Sequence, residues 1–185
     1  SAFYDSTKGY ERHFVIRSIT FYESEFFLRK NGDLIKIDIP KDSKPYFHRE
    51  WLLLVHRSPW EVNGERYKEG SLLVTNFEEF LKGERKFEVL FEPSFNAFLY
   101  SYTWTKNYLI LNILEDVKSR LWLFYPKDGK WQKEILSFGF DFSNISIWAI
   151  DEKESDEYFM TITDFLTPTS LFIGEIKKAQ EIIRS

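Results

Sequence analysis

Cysteine is absent from all 185 residues. Its absence excludes disulfides, thiolate catalysis, cysteine-ligated zinc and iron–sulfur clusters. It fits a reducing compartment, so the expected location is cytoplasmic, with the periplasm as the alternative. An excess of basic charge is missing as well. Lys and Arg number 25 against 29 Asp and Glu, for a net charge of −4. Duplex binding rests on neutralising phosphates, so nucleic acid is not an expected partner. Long apolar runs are missing too. Leu-Leu-Leu-Val at 52–55 and Leu-Ile-Leu at 109–111 fall far short of the roughly 20 residues that cross a bilayer, and no membrane partner is expected. No charged-then-apolar leader opens the chain. It begins Ser-Ala-Phe-Tyr-Asp-Ser rather than with Met, and the expectation is that something ahead of Ser1 has been removed.

The signatures of catalysis and ligand binding are equally scarce. A serine nucleophile needs a histidine to take its proton. The three histidines are His13, His48 and His56, and no Gly-x-Ser-x-Gly elbow accompanies them. They read as surface or strand residues. His48 and His56 lie on neighbouring strand segments and could converge, but two loosely spaced histidines do not make a metal site. No glycine-rich phosphate loop occurs. The densest acidic run, Asp-Glu-Lys-Glu-Ser-Asp-Glu at 151–157, has loop composition and reads as a solvated turn rather than a pair of catalytic carboxylates. Asn-Ile-Ser at 144–146 matches a glycosylation sequon, but it leads into a strand of a chain without secretory signs. No catalytic, cofactor-binding or metal-ligating residue is assigned, and no cofactor is expected.

What the chain does have is aromatic side chains, 19% of its residues. These fit a pleated, half-buried surface. Some of them would make a carbohydrate or peptide platform if exposed, but most must be core. Alternation supports strands. In 51–57, Trp51, Leu53 and Val55 share one face and Leu52, Leu54 and His56 the other, so this strand is covered on both sides. The same reading holds for 108–114 and 158–163. Trp51, Leu53, Leu109, Leu111, Trp122, Trp148 and Phe159 are expected to be buried. Asn-Gly-Asp at 31–33, Asn-Gly at 63–64 and Lys-Asp-Gly-Lys at 127–130 have the chemistry of hairpin turns. One short helix is expected at Phe77–Lys82, with Asn76 as N-cap, Glu79 completing a capping box, and Gly83 as the stop. Phe77, Phe80 and Leu81 would share its buried face. The tail at 177–185 is ambiguous between a helix and a closing strand.

A repeat then emerges. A polar residue, an aromatic and an apolar run lead through a turn to a second apolar strand. The pairs are 25–29 with 34–39, 50–55 with 71–76, 107–112 with 120–125, and 157–162 with 170–176. Further strands flank them at 102–104, 130–136 and 145–151. Units of roughly 40–50 residues are the period of propeller blades. A two-sheet sandwich also predicts hairpins, but not this recurrence. The expected fold is therefore all-β, a β-propeller fragment of about four antiparallel blades (12–42, 43–94, 95–140 and 141–185) with one short helix. Four is a low count for a ring, so the chain reads as an arc whose end blades leave apolar faces uncovered. Self-association is expected.

Several stretches resemble the propeller of prolyl oligopeptidase-type (S9) serine peptidases. They are 17–29 (Arg-Ser-Ile-Thr-Phe-Tyr-Glu-Ser-Glu-Phe-Phe-Leu-Arg), 47–60 (Phe-His-Arg-Glu-Trp-Leu-Leu-Leu-Val-His-Arg-Ser-Pro-Trp), 67–73 and 89–93. The sharpest is 163–172 (Thr-Asp-Phe-Leu-Thr-Pro-Thr-Ser-Leu-Phe), which is similar to a segment of that family's last blade. The resemblance implies a propeller that caps an α/β-hydrolase domain of the parent chain and admits only short peptide substrates. In that family cleavage follows proline or, in related members, basic residues. No triad motif exists here, so no catalytic residue carries over. What the resemblance implies is a role as lid, size filter and docking surface. The alternatives are a free-standing propeller binding module and, more remotely, an adhesin-like sandwich. A downstream Gly-x-Ser-x-Gly in the parent gene would separate the first from the second.

Overall fold

The computed structural model describes residues 1–136, 144–163, 168–177 and 181–184. Two-residue turns with both φ angles positive join many of its strands: Asn31-Gly32, Asn63-Gly64 and Asp128-Gly129. Such turns match the twist of the strands they link, which is why Asn-Gly and Asp-Gly mark them in the sequence. The chain falls into two compact units, Ser1–Glu92 and Pro93–Ser185.

The first unit holds two four-stranded antiparallel sheets. One is a meander of β1 (Ala2–Asp5), β2 (Arg12–Ser18), β3 (Ser24–Lys30) and β4 (Asp33–Ile37). Its first strand lies ahead of the segment 12–42. The second sheet begins with β5 (Ser43–His48) and β6 (Trp51–His56). A separate hairpin of β7 (Trp60–Val62) and β8 (Glu65–Tyr67) is inserted before β9 (Leu72–Asn76). Helix α1 (Phe77–Leu81) then precedes the edge strand β10 (Glu88–Phe91). Between the two sheets Phe14, Leu28 and Ile37 meet Leu52, Leu54 and Leu73, and Phe77 and Phe80 of the helix close the same cluster.

The helix starts and stops where its sequence dictates. Asn76 Oδ1 accepts a hydrogen bond from Glu79 N–H at 3.1 Å. The reciprocal half of a capping box does not form, because Glu79 pairs with Lys82 at 2.8 Å. At the other end Gly83 N–H donates to Phe80 O and Glu84 N–H to Glu79 O, both at 3.0 Å. This is a Schellman stop, and the φ of 104° at Gly83 is why glycine stands there. Phe77 and Phe80 are buried and Leu81 packs against them half-buried.

The second unit holds the third and fourth sheets. The third is β11 (Ala97–Trp104), β12 (Leu109–Glu115), β13 (Lys118–Lys127) and β14 (Lys130–Leu136). The fourth is β15 (Asn144–Ala149), β16 (Glu157–Thr163), β17 (Ser170–Lys177) and β18 (Glu181–Arg184). The tail thus includes a closing strand. The two sheets pack face to face, Ile110, Leu121 and Leu123 against Ile147, Tyr158 and Met160. Tyr158 lies directly opposite Gly174 in the β16–β17 register. Its ring occupies the space that any side chain at 174 would need.

The core expected from alternation is partly corrected. Leu53, Leu109 and Leu111 are buried. Trp51, Trp122 and Phe159 are half-buried, and Trp148 is 42% exposed. The register explains the last two. Trp148 pairs with Phe159, and Phe159 with Ile173, so all three stand on the face away from Tyr158, Met160 and Ile162. Strand β16 is therefore fully covered on one side only. Trp122 shares its face of the sheet with the buried Leu109, Leu111 and Phe124 and lies beneath Lys133, whose Nζ is 3.0 Å from the centroid of the indole ring.

Candidate functional site

The three histidines come first, because they alone could have served a serine nucleophile. His13 is exposed on β2 and stacks on Tyr4, ring centroids 4.4 Å apart. His48 and His56 are both buried, but at opposite ends of the β5–β6 pair. His48 lies opposite Trp51 and His56 opposite Ser43, five steps or roughly 16 Å along the ladder. They do not converge. His56 Nδ1–H donates to Ser58 O at 2.6 Å, which leaves Nε2 as a bare acceptor. Ser43 is its cross-strand neighbour, yet no hydrogen bond joins Ser43 Oγ to His56 Nε2. Nε2 is sealed from any substrate. Among the described residues no group of three or more His, Asp or Glu side chains could hold a metal ion.

The polar groups that do converge lock neighbouring sheets together. In the second unit the turn at 105–107 of the third sheet meets Asp156, just before β16. Asp156 accepts from Thr105 Oγ1 at 2.7 Å, from Asn107 N–H at 2.8 Å and from Asn107 Nδ2 at 2.7 Å. Lys106 N–H adds a bond to Ser155 O at 2.9 Å. The acidic run 151–157 is therefore not wholly a solvated turn. Asp151 caps its own turn through Lys153 N–H and Glu154 N–H, while Asp156 reaches the neighbouring sheet. Deeper in, Asn112 Nδ2 donates to Ile145 O at 2.6 Å and Ile145 N–H donates to Ser119 Oγ at 3.1 Å.

The first unit has a counterpart. Asp5 Oδ2 pairs with Arg12 at 3.1 Å, and Asp5 Oδ1 accepts from Thr7 N–H at 3.0 Å and Thr7 Oγ1 at 2.6 Å. Arg12 in turn donates to Arg49 O of the second sheet at 2.6 Å and lies over Phe77, 5.2 Å from its centroid. Burial works to raise the Asp5 pKa, but the Thr7 hydrogen bonds and the Arg12 guanidinium outweigh it and hold the carboxyl below its ordinary value. Beside it, burial and the charge of Glu50 push Tyr10 up, so the phenol keeps its proton.

Two outward faces differ in kind. The first sheet carries Glu25, buried under Arg17 and Lys36 at 2.8 Å each, with Lys41 at 3.9 Å. The Lys36 hydrogen bond and the surrounding cations hold this carboxyl below its ordinary value. The fourth sheet instead exposes Trp148, Ile150, Leu171 and Ile173, an apolar face of the kind that marks an interaction surface.

Repeated four-stranded antiparallel sheets of this sort are the units of a β-propeller. The model of the prolyl oligopeptidase N-terminal β-propeller domain matches residues 62–185, two thirds of the chain, and the chain belongs to that family. It is 24% identical over 159 residues to an uncharacterized peptidase of Rickettsia prowazekii, covering 84% of this chain and 22% of that protein. A second uncharacterized peptidase, from Sinorhizobium fredii, is 27% identical over 172 residues, 89% of this chain and 23% of the other. Among solved structures, a post-proline cleaving enzyme from Rickettsia typhi superposes with a TM-score of 0.79 at 20% identity, over 94% of this chain and 26% of that one. Oligopeptidase B from Leishmania major gives 0.60 at 15% identity, over 100% of this chain and 26% of that one. At these identities the structural likeness is one of fold. The chain spans about a quarter of the length of these relatives.

Proposed function

We propose that the chain is the non-catalytic propeller portion of a serine peptidase of prolyl oligopeptidase type, acting as lid and size filter for peptide substrates. Membership of the propeller family carries this reading. On this reading the chemistry belongs to a hydrolase domain elsewhere in the parent protein. The locks at Asp156 and Asp5 tie adjacent, face-packed sheets to each other, which is what a lid that excludes large substrates requires. Cytoplasmic location, read from the missing cysteines, belongs to the same proposal. The test is cleavage of peptides of graded length by the parent protein, which should fall steeply as length increases.

A further inference from the structure

The first unit contains a pocket of about 290 Å³. Phe21 and Tyr22 of the β2–β3 loop, Phe26 of β3, Ser43 and Pro45 of β5, and Arg57 beyond β6 line it, with Asp42 and Lys44 beside them. Two features point to one kind of ligand.

The first is charge. Arg57 stacks on Tyr22, its guanidinium carbon 4.6 Å from the ring centroid, and no carboxylate of the described residues pairs with it or with Lys44. Two cations against the single carboxylate of Asp42 leave the pocket net positive in a chain that is net negative. The second is apolar surface. Phe21 is 92% and Tyr22 60% exposed, in edge contact with each other at 4.8 Å. Large rings this open to water are costly unless something covers them.

We propose that this pocket binds the C-terminal end of a short peptide that finishes in an apolar or aromatic residue. Arg57 and Lys44 take the carboxylate, and the side chain lies against Phe21, Tyr22 and Pro45. The proposal rests on the peptide-handling role above and names a site for it on the propeller itself. A small aromatic acid offers the same chemistry without a peptide backbone, so the test includes one.

The experiment titrates the ¹⁵N-labelled chain with Ala-Ala-Phe, with its C-terminal amide and with phenylacetate, and follows the amide signals of Tyr22, Ser43 and Arg57. The expected result is saturable shifts with the peptide acid, binding weaker by about tenfold or more for the amide, and weaker binding of phenylacetate. Arg57→Ala should lose about tenfold in affinity, Arg57→Lys less, with unchanged circular dichroism; Arg57 is exposed, so both variants should fold. Equal binding of acid and amide, or an Arg57→Ala variant that binds as tightly as the parent chain, would overturn the site. Phenylacetate binding as tightly as the peptide would overturn the peptide assignment. Absence of binding at millimolar ligand overturns the site and leaves the size filter standing, because that is read from the length of peptide cleaved.

Discussion

Asp156 accepts two hydrogen bonds from Asn107, one from the backbone N–H at 2.8 Å and one from the side-chain amide at 2.7 Å. With Thr105 Oγ1 they form a three-bond lock between the third and fourth sheets. Asp156→Ala should therefore destabilise the chain by about 2 kcal/mol, since three neutral donors lose a charged acceptor. Glu154→Ala, in the same acidic run but exposed, should stay within about 0.5 kcal/mol of the parent. Urea denaturation of the two variants decides the matter. Equal midpoints would mean that the lock carries no weight.

The lock also shows where sequence reading runs out. Residue type does not separate Asp156 from Asp151, five positions earlier in the same run. What distinguishes it is a partner 49 residues away, and no local pattern encodes that. The strands are a different matter. The first pair of the repeat is β3 with the edge strand β4, but the other three coincide with the two central strands of their sheets: β6 and β9, β12 and β13, β16 and β17. These strands are apolar because sheets cover them. Edge strands such as β1 and β10 have fewer apolar neighbours and left no comparable signal. The pocket was illegible for the same reason as the lock, because Tyr22 and Arg57 meet only through the packing of two sheets.

Stability should depend on pH through Asp5. Its folded-state pKa is lowered, so its contribution is complete above the ordinary carboxylate value and is lost as pH falls through the folded-state value. Asp5→Asn should cost about 1 kcal/mol at neutral pH. The gap in Tm between this variant and the parent should close as pH drops below about 4. A gap that stays constant from pH 7 to pH 3, on the order of the same Tm difference throughout, would show that Asp5 acts through packing alone.

One turn is built against its own sequence. Asp116 and Val117 join β12 to β13 with φ of 48° and 64°, and a β-branched residue is strained there. Val117 is 80% exposed, so replacing it removes little packing. Val117→Gly should raise stability by about 1 kcal/mol, seen as a higher urea midpoint. A lower midpoint would contradict the turn geometry.

The apolar outer face of the fourth sheet leads us to expect that the isolated chain self-associates. Trp148, Leu171 and Ile173 would bury there at roughly 25 cal/mol per Å² of apolar area, before the costs of association. Sedimentation should give a dimer or larger species, and Trp148→Lys with Ile173→Lys should return it to a monomer. A parent chain that is strictly monomeric at high concentration would count against this surface.

The proposed role is that this propeller filters substrates for a peptidase domain of the parent protein. Its most direct test is the rate at which the parent protein, and the isolated chain beside it, cleaves peptides of increasing length. The account predicts no cleavage by the chain alone, cleavage of short peptides by the parent with a steep decline as length grows, and a longer upper limit when Asp156→Ala loosens the lock. Cleavage by the parent that is indifferent to length, or serine-inhibitor-sensitive cleavage by the chain alone, would contradict it.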